Sequence, residues 1–159
     1  MRRLSADISG VMDMPVRLLI ASVLTAAIIP VFYGAYEDLS MTRTEEGILR
    51  EIDEFLRISR TLLDGGEGGR IGFDFNLESR MNAGSVSVIM GGPIDGDGKW
   101  TSFAVRYRIN GGCYRYVVSK PPLQITSHDL EGLPLGEGSN EIMIQHAVVN
   151  GTHLIMVGI

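Results

Sequence analysis

The sequence predicts an α+β protein, in which a long N-terminal membrane and amphipathic helix precedes an antiparallel β-sandwich-like domain. Three patterns predict it: an uncharged apolar run, then a helical apolar stripe, then alternating apolar residues to the C-terminus. The expected boundaries are a cytoplasmic leader at 1–15, a transmembrane helix at 16–36, an amphipathic helix extension at 37–64, a glycine-rich joint at 65–69 and an exported β domain at 70–159.

The apolar run begins at Leu18 and carries no charged residue as far as Tyr36. At about 1.5 Å of rise per residue, this length approaches the roughly 20 residues that cross a bilayer. A buried core helix would show a polar stripe, which this run lacks. A cleaved secretory signal fits less well, because bulky Tyr33 stands where such a cleavage site prefers a small residue. We therefore expect a single helix in contact with membrane lipid.

Basic residues precede the run, since Arg2, Arg3 and Arg17 all lie N-terminal to it. The positive-inside tendency then places the N-terminus in the cytoplasm and the C-terminal domain outside the membrane. Pro30 is expected to bend the helix near its exit, because proline removes a backbone donor. The small residues of the span would let neighbouring helices approach closely. These are Ala21, Ser22, Ala26 and Ala27.

The second pattern covers residues 44–63, where Ile48, Ile52 and Phe55 belong to a stripe with spacings of three and four. This stripe needs cover from the chain's own sheet or from neighbouring subunits. The helix is expected to stop at residues 65–69, whose glycines predict a flexible joint.

The third pattern is strand-like. Strands are expected at residues 71–77, 85–89, 103–109, 114–118, 141–149 and 153–159, with a further short strand at 123–125. Asn110-Gly111 and Asn150-Gly151 predict tight hairpin turns, because both turn positions need positive φ. Six or seven short strands with frequent turns favour a sandwich or an open barrel.

Charge and cysteine content narrow the functional classes. The net charge of −5 argues against nucleic-acid binding, which depends on a basic surface. The one cysteine, Cys113, excludes an internal disulfide.

Residues with catalytic or metal-binding chemistry show no recognisable arrangement. His128, His146 and His153 lack metal-ligand spacing, and Cys113 has no histidine near it in sequence. We predict no catalytic, cofactor or metal site. The segment Asp95-Gly96-Asp97-Gly98 is interpreted as a turn, because a calcium loop would need a glutamate where Arg106 stands. Asn150-Gly151-Thr152 is an acceptor sequon for glycosylation.

The N-terminal sequence MRRLSADISGVMDMPVRLLIASVLTAAIIP resembles archaeal type IV pilin-like proteins, a family of pilins, archaellum filament subunits and related stator subunits. The resemblance covers roughly the first 65 positions. It implies that a prepilin peptidase cuts after Gly10, leaving Val11 as the mature N-terminus. It also implies that the matured helix packs against sister subunits in a filament core.

The first expected function is that of a structural subunit of a pilus-like or archaellum-like surface filament or of its membrane-anchored complex. The alternative is a single-pass anchored β domain that binds an envelope protein, as a stator-like component would. A third hypothesis is an anchored enzyme, which a cleft gathering His146, His153 or Cys113 with carboxylates would favour.

Overall fold

A computed structural model describes residues 8–77, 84–92, 101–127 and 132–159, with side chains from residue 14 onward except at 101 and 102. The start of the leader, the Asp95–Gly98 segment and His128 lie outside the described residues. The chain divides into two compact units, Met1–Leu39 and Ser40–Ile159. One long helix and two mostly antiparallel sheets confirm the α+β class.

Helix α1 extends from Ile8 to Asp64 and is 57 residues long. It begins before residue 16, the expected start of the transmembrane helix, and continues through both Pro15 and Pro30. Proline at position 30 removes the hydrogen bond that the carbonyl of Ala26 would otherwise receive. The helix does not end at Pro30, and the expected bend there stays a prediction.

In the first unit, every side chain from residue 14 to residue 39 is exposed. Within the described residues, α1 is the one helix long and apolar enough to cross a membrane. A soluble helix would place at least one face of such a sequence against a core. The apolar surface of this unit therefore needs lipid or other helices around it.

Strands of the second unit form a five-stranded and a four-stranded sheet, with strand orders β1-β8-β9-β6-β3 and β5-β4-β2-β7. All pairs are antiparallel except β6 with β9. The described strands are β1 Arg70–Leu77, β2 Val86–Met90, β3 Thr101–Ser102, β4 Ala104–Ile109, β5 Arg115–Val118, β6 Ile125–Ser127, β7 Leu133–Leu135, β8 Gly138–Val149 and β9 Thr152–Gly158.

Both Asn-Gly pairs form turns, as the sequence predicts, but only the second is a two-residue hairpin, because the last pair of β4 with β5 before the first turn is Tyr107 with Arg115. Asn110 and Gly111 have φ of 55° and 66°, and Asn150 and Gly151 have φ of 52° and 76°. Positive φ at both positions matches the twist of antiparallel strands. The second turn brings Val149 opposite Thr152 and joins β8 to β9 in the five-stranded sheet.

One hydrophobic core draws side chains from α1 and from both sheets. Ile52 and Phe55 are fully buried and Ile48 nearly so, together with Phe75 of β1 and Val105 of β4. The amphipathic stripe is thus covered by the chain's own sheets. Residues 40–64 of the helix therefore belong to the folded second unit.

The glycine-rich segment at 65–69 is hydrogen-bonded to β8. His146 receives a hydrogen bond at its carbonyl from Gly68 N (3.3 Å), and its own N–H donates to Gly69 O (2.9 Å). The imidazole Nδ1 of His146 lies 2.7 Å from Gly66 O. Glycine composition predicts a flexible joint, but these bonds and the buried helix face make it an anchored connection.

Phe55→Ala should lower the free energy of unfolding of the second unit by about 3–5 kcal/mol, because it removes a fully buried aromatic ring. Chemical denaturation of the full chain in lipid, followed by tyrosine and tryptophan fluorescence, measures this change. Asp53→Ala is the matched control, since Asp53 is exposed on the same helix. Equal effects of the two substitutions would contradict the buried position of Phe55.

Candidate functional site

The apolar surface of α1 between residues 16 and 36 is the first candidate site. Ala21, Ser22, Ala26, Ala27 and Pro30 are all exposed there, as the sequence interpretation requires of residues that pack against other helices. Gly10 and Val11, the predicted processing site, lie inside the helix near its first residue.

Small residues follow one line along this surface. Ser22, Ala26 and Pro30 are each four positions apart, and Gly34 continues the series. A spacing of four places side chains on one helix face. The sequence interpretation missed Gly34, although the spacing identifies it. A Cβ at Gly34 would meet no atom within 4 Å, so this end of the line is open.

Hydroxyl groups within the span are satisfied by the helix itself. Ser22 Oγ donates to Leu19 O (2.8 Å), and Thr25 Oγ1 donates to Ala21 O (2.8 Å). An unsatisfied hydroxyl in hydrocarbon costs several kcal/mol, so these internal bonds make both residues compatible with lipid.

Past the apolar run, a cluster of Glu45, Tyr107 and Arg115 links α1 to the four-stranded sheet. Tyr107 donates its hydroxyl to Glu45 Oε1 (2.7 Å), and Arg115 forms an ion pair with the same oxygen. The hydrogen bonds from Arg115 and Tyr107 hold the pKa of the Glu45 carboxyl below its ordinary value. Burial, followed by the neighbouring Glu45, raises the pKa of the Tyr107 phenol.

Two further polar links connect α1 to the sheets. Arg60 donates to Ser119 Oγ (2.8 Å) and to the carbonyl of Lys120, both just beyond β5. Asn76 N on β1 donates to Glu51 Oε2 (3.4 Å). The helix is therefore attached at β1, an edge of the five-stranded sheet, and next to β5, an edge of the four-stranded sheet.

Two histidines, His146 and His153, lie next to each other on adjacent strands. His146 is buried and His153 is exposed, and their Nε2 and Nδ1 atoms are 2.9 Å apart across the β8–β9 hairpin. A carbonyl only accepts, so His146 Nδ1 donates to Gly66 O. The two imidazoles are therefore hydrogen-bonded to each other, and His146 also bonds to the glycine-rich segment that follows α1.

Other candidate side chains stand apart. Cys113 is exposed near the first Asn-Gly turn, and Asn150 is exposed in the second. Within the ranges that the structure describes, no group of three or more His, Cys, Asp or Glu residues is arranged to hold a metal ion. The position of Asn150 in an exposed turn is accessible to a modifying enzyme.

Comparisons of this chain with family models, with curated proteins and with solved structures find no match.

Replacing Glu45 by Gln should make stability less dependent on acid pH. Because the pKa of Glu45 is lowered on folding, its contribution is present above the unfolded-state pKa, near 4.3, and is lost as pH falls through the folded-state value. We expect Glu45→Gln to cost about 1 kcal/mol or less at pH 7, and the difference from wild type to shrink toward pH 3.

Denaturation curves at pH 3, 5 and 7 measure this difference. Glu46→Gln is the control, because Glu46 is exposed one residue further along the helix. A difference between wild type and Glu45→Gln that stays constant across this range would refute the assignment.

Proposed function

We propose that this protein is a membrane-anchored structural subunit of a pilus-like or archaellum-like surface filament or of its membrane complex, and that it assembles through its N-terminal helix. The observation that carries the proposal is the complete exposure of an uncharged apolar helix surface between residues 18 and 36. The N-terminus lies in the cytoplasm and the β domain outside, in keeping with the basic flank of the span.

The division of the helix into two functional parts supports this proposal. Residues 48–56 contribute their apolar face to the chain's own core, whereas residues 16–36 have no intramolecular cover. The two sheets that share this core form a β sandwich in the proposed arrangement. An anchored subunit needs an exported domain that folds on its own core and an apolar helix that the domain does not cover. The N-terminal resemblance to pilin-like proteins supports assembly of such subunits into a filament.

The second candidate function is an anchored β domain that binds an envelope protein. It is favoured by the second unit, which has its own core and exposes sheet surface that no described residue covers. In that case the helix contacts lipid alone, and the line of small residues has no sister helix opposite it.

Processing separates a true prepilin from an ordinary anchored protein. The mature chain should begin at Val11, since Gly10 stands between a short basic leader and the apolar helix. N-terminal sequencing of protein extracted from membranes that contain active prepilin peptidase identifies the first residue. Recovery of Met1 under those conditions would leave the protein as an unprocessed anchor.

Ala26→Leu should impair assembly without unfolding the exported domain. The larger side chain fills the line of small residues where a sister helix would approach, while the site lies in a unit with no intramolecular packing. Electron microscopy of surface fibres, or the size of extracted complexes, measures assembly. The denaturation midpoint of the second unit measures folding and should be unchanged.

The matched control is Ile29→Leu, which conserves side-chain volume at another exposed position of the same helix. Fibres and complexes that survive Ala26→Leu would assign the helix to anchoring alone and would select the second candidate function.

A further inference from the structure

The outward face of the four-stranded sheet carries arginine and tyrosine side chains. Along β4, Val105 and Tyr107 point into the core, so the alternate positions face outward. Among the described strand residues of this sheet, none on the outward face is acidic. This face carries Ser87 and Ile89 on β2, Arg106 and Arg108 on β4, Tyr116 and Val118 on β5, and Pro134 on β7. Ala104 of β4 is on the same face but is buried, and so is Nε of Arg106.

The two arginines are held in place by neighbours on the sheet. Arg106 lies opposite Tyr116 in the β4–β5 register and donates through Nη2 to Gly91 O (3.1 Å). The guanidinium carbon of Arg108 lies 5.0 Å from the centroid of the Tyr114 ring. Such stacking restrains a guanidinium and leaves its outer N–H groups available to a carboxylate.

Apolar surface accompanies the charge. Tyr116 is 49% exposed and Val118 is 51% exposed, side by side on the same face of β5. Exposed tyrosine, arginine and aliphatic side chains together are typical of protein-binding surfaces. This face therefore offers both charged and apolar contacts to one partner.

The charge of this face is opposite to that of the whole chain, which has a net charge of −5. A partner with carboxylates would be attracted to these strands and repelled by acidic surface elsewhere. Arg106 and Arg108 are two residues apart on one strand, a separation of about 6.5–7 Å. An extended peptide with acidic residues at alternate positions repeats its carboxylates at the same interval.

We propose that the outward face of the four-stranded sheet binds an acidic protein segment in an extended conformation. Alternate carboxylates of the segment pair with Arg106 and Arg108, and its remaining contacts lie on Tyr116 and Val118. The inference rests on the second candidate function, because it supplies the surface that an anchored β domain would present to an envelope protein. It does not require the helix to assemble with sister helices.

The test uses the full chain in nanodiscs of zwitterionic phosphatidylcholine and a labelled eight-residue peptide of alternating glutamate and serine. Fluorescence anisotropy should show binding that weakens as sodium chloride rises, and no binding of a lysine–serine peptide. Arg108→Gln should weaken binding about tenfold, the expected loss of one charge-assisted contact. Arg108→Lys should weaken it less, because the charge remains and only the planar fork is lost.

Two controls keep the result specific. Arg70→Gln removes an exposed arginine from the five-stranded sheet and should leave the affinity unchanged. Tyr116→Ala keeps both arginines and should still weaken binding, because it removes an exposed aromatic contact. Denaturation midpoints of all variants confirm that the domain is folded.

Several results would overturn the proposal. Absence of glutamate–serine binding at low salt, or equal losses in Arg70→Gln and Arg108→Gln, would exclude a specific acidic-segment site. A uronate oligosaccharide that binds through Arg108 while the peptide does not would assign the face to a glycan. Self-association of the chain that is lost in Arg108→Gln, without peptide binding, would assign it to a second copy.

The proposal and helix assembly are tested separately by the Ala26→Leu variant. Peptide binding that persists in Ala26→Leu separates this site from helix assembly.

Discussion

Burial of one face of α1 against side chains of both sheets is the constraint on which the rest of the second unit depends. Ile52 and Phe55 have no exposed surface, and both sheets contribute side chains to the cluster that surrounds them. Burying these two side chains contributes about 2–3 kcal/mol each from the removal of apolar surface from water. The polar links at Glu45, Glu51 and Arg60 lie around this contact and align the helix with the sheet edges.

The two parts of α1 expose side chains of opposite polarity. Residues 16–36 present apolar side chains outward, whereas residues 40–64 present charged side chains outward and apolar ones to the core. Two edge strands are hydrogen-bonded to α1: β1 through Asn76, and β5 through Ser119, the residue that follows it. An exposed strand edge favours pairing with other chains, so a helix attached near both edges also limits unwanted association.

Sequence patterns predicted the elements whose cause is local. The apolar run, the stripe through Ile48 and the Asn-Gly turns depend on neighbouring residues, and the helix and hairpins follow from them. Strands β3 and β7 were not predicted, because two or three residues give no alternating pattern and Pro134 argues against a strand. The hydrogen bonds that connect the glycine-rich joint to β8 do not follow from its composition, because their partner, His146, is about 80 residues away. The contact between His146 and His153 is a diagonal pairing across the β8–β9 hairpin, and it could have been predicted from the Asn150-Gly151 turn, which places Val148 opposite His153.

The anchored connection at Gly65–Gly69 has a mechanical consequence. Glycine-rich segments usually extend first under load, since no contact holds them. Here, tension applied to the sheets passes through the hydrogen bonds of β8 and the buried face of α1, and it reaches Ser40 as a shearing force on a packed core. Under tension, this glycine-rich segment is therefore expected to extend only after these hydrogen bonds break.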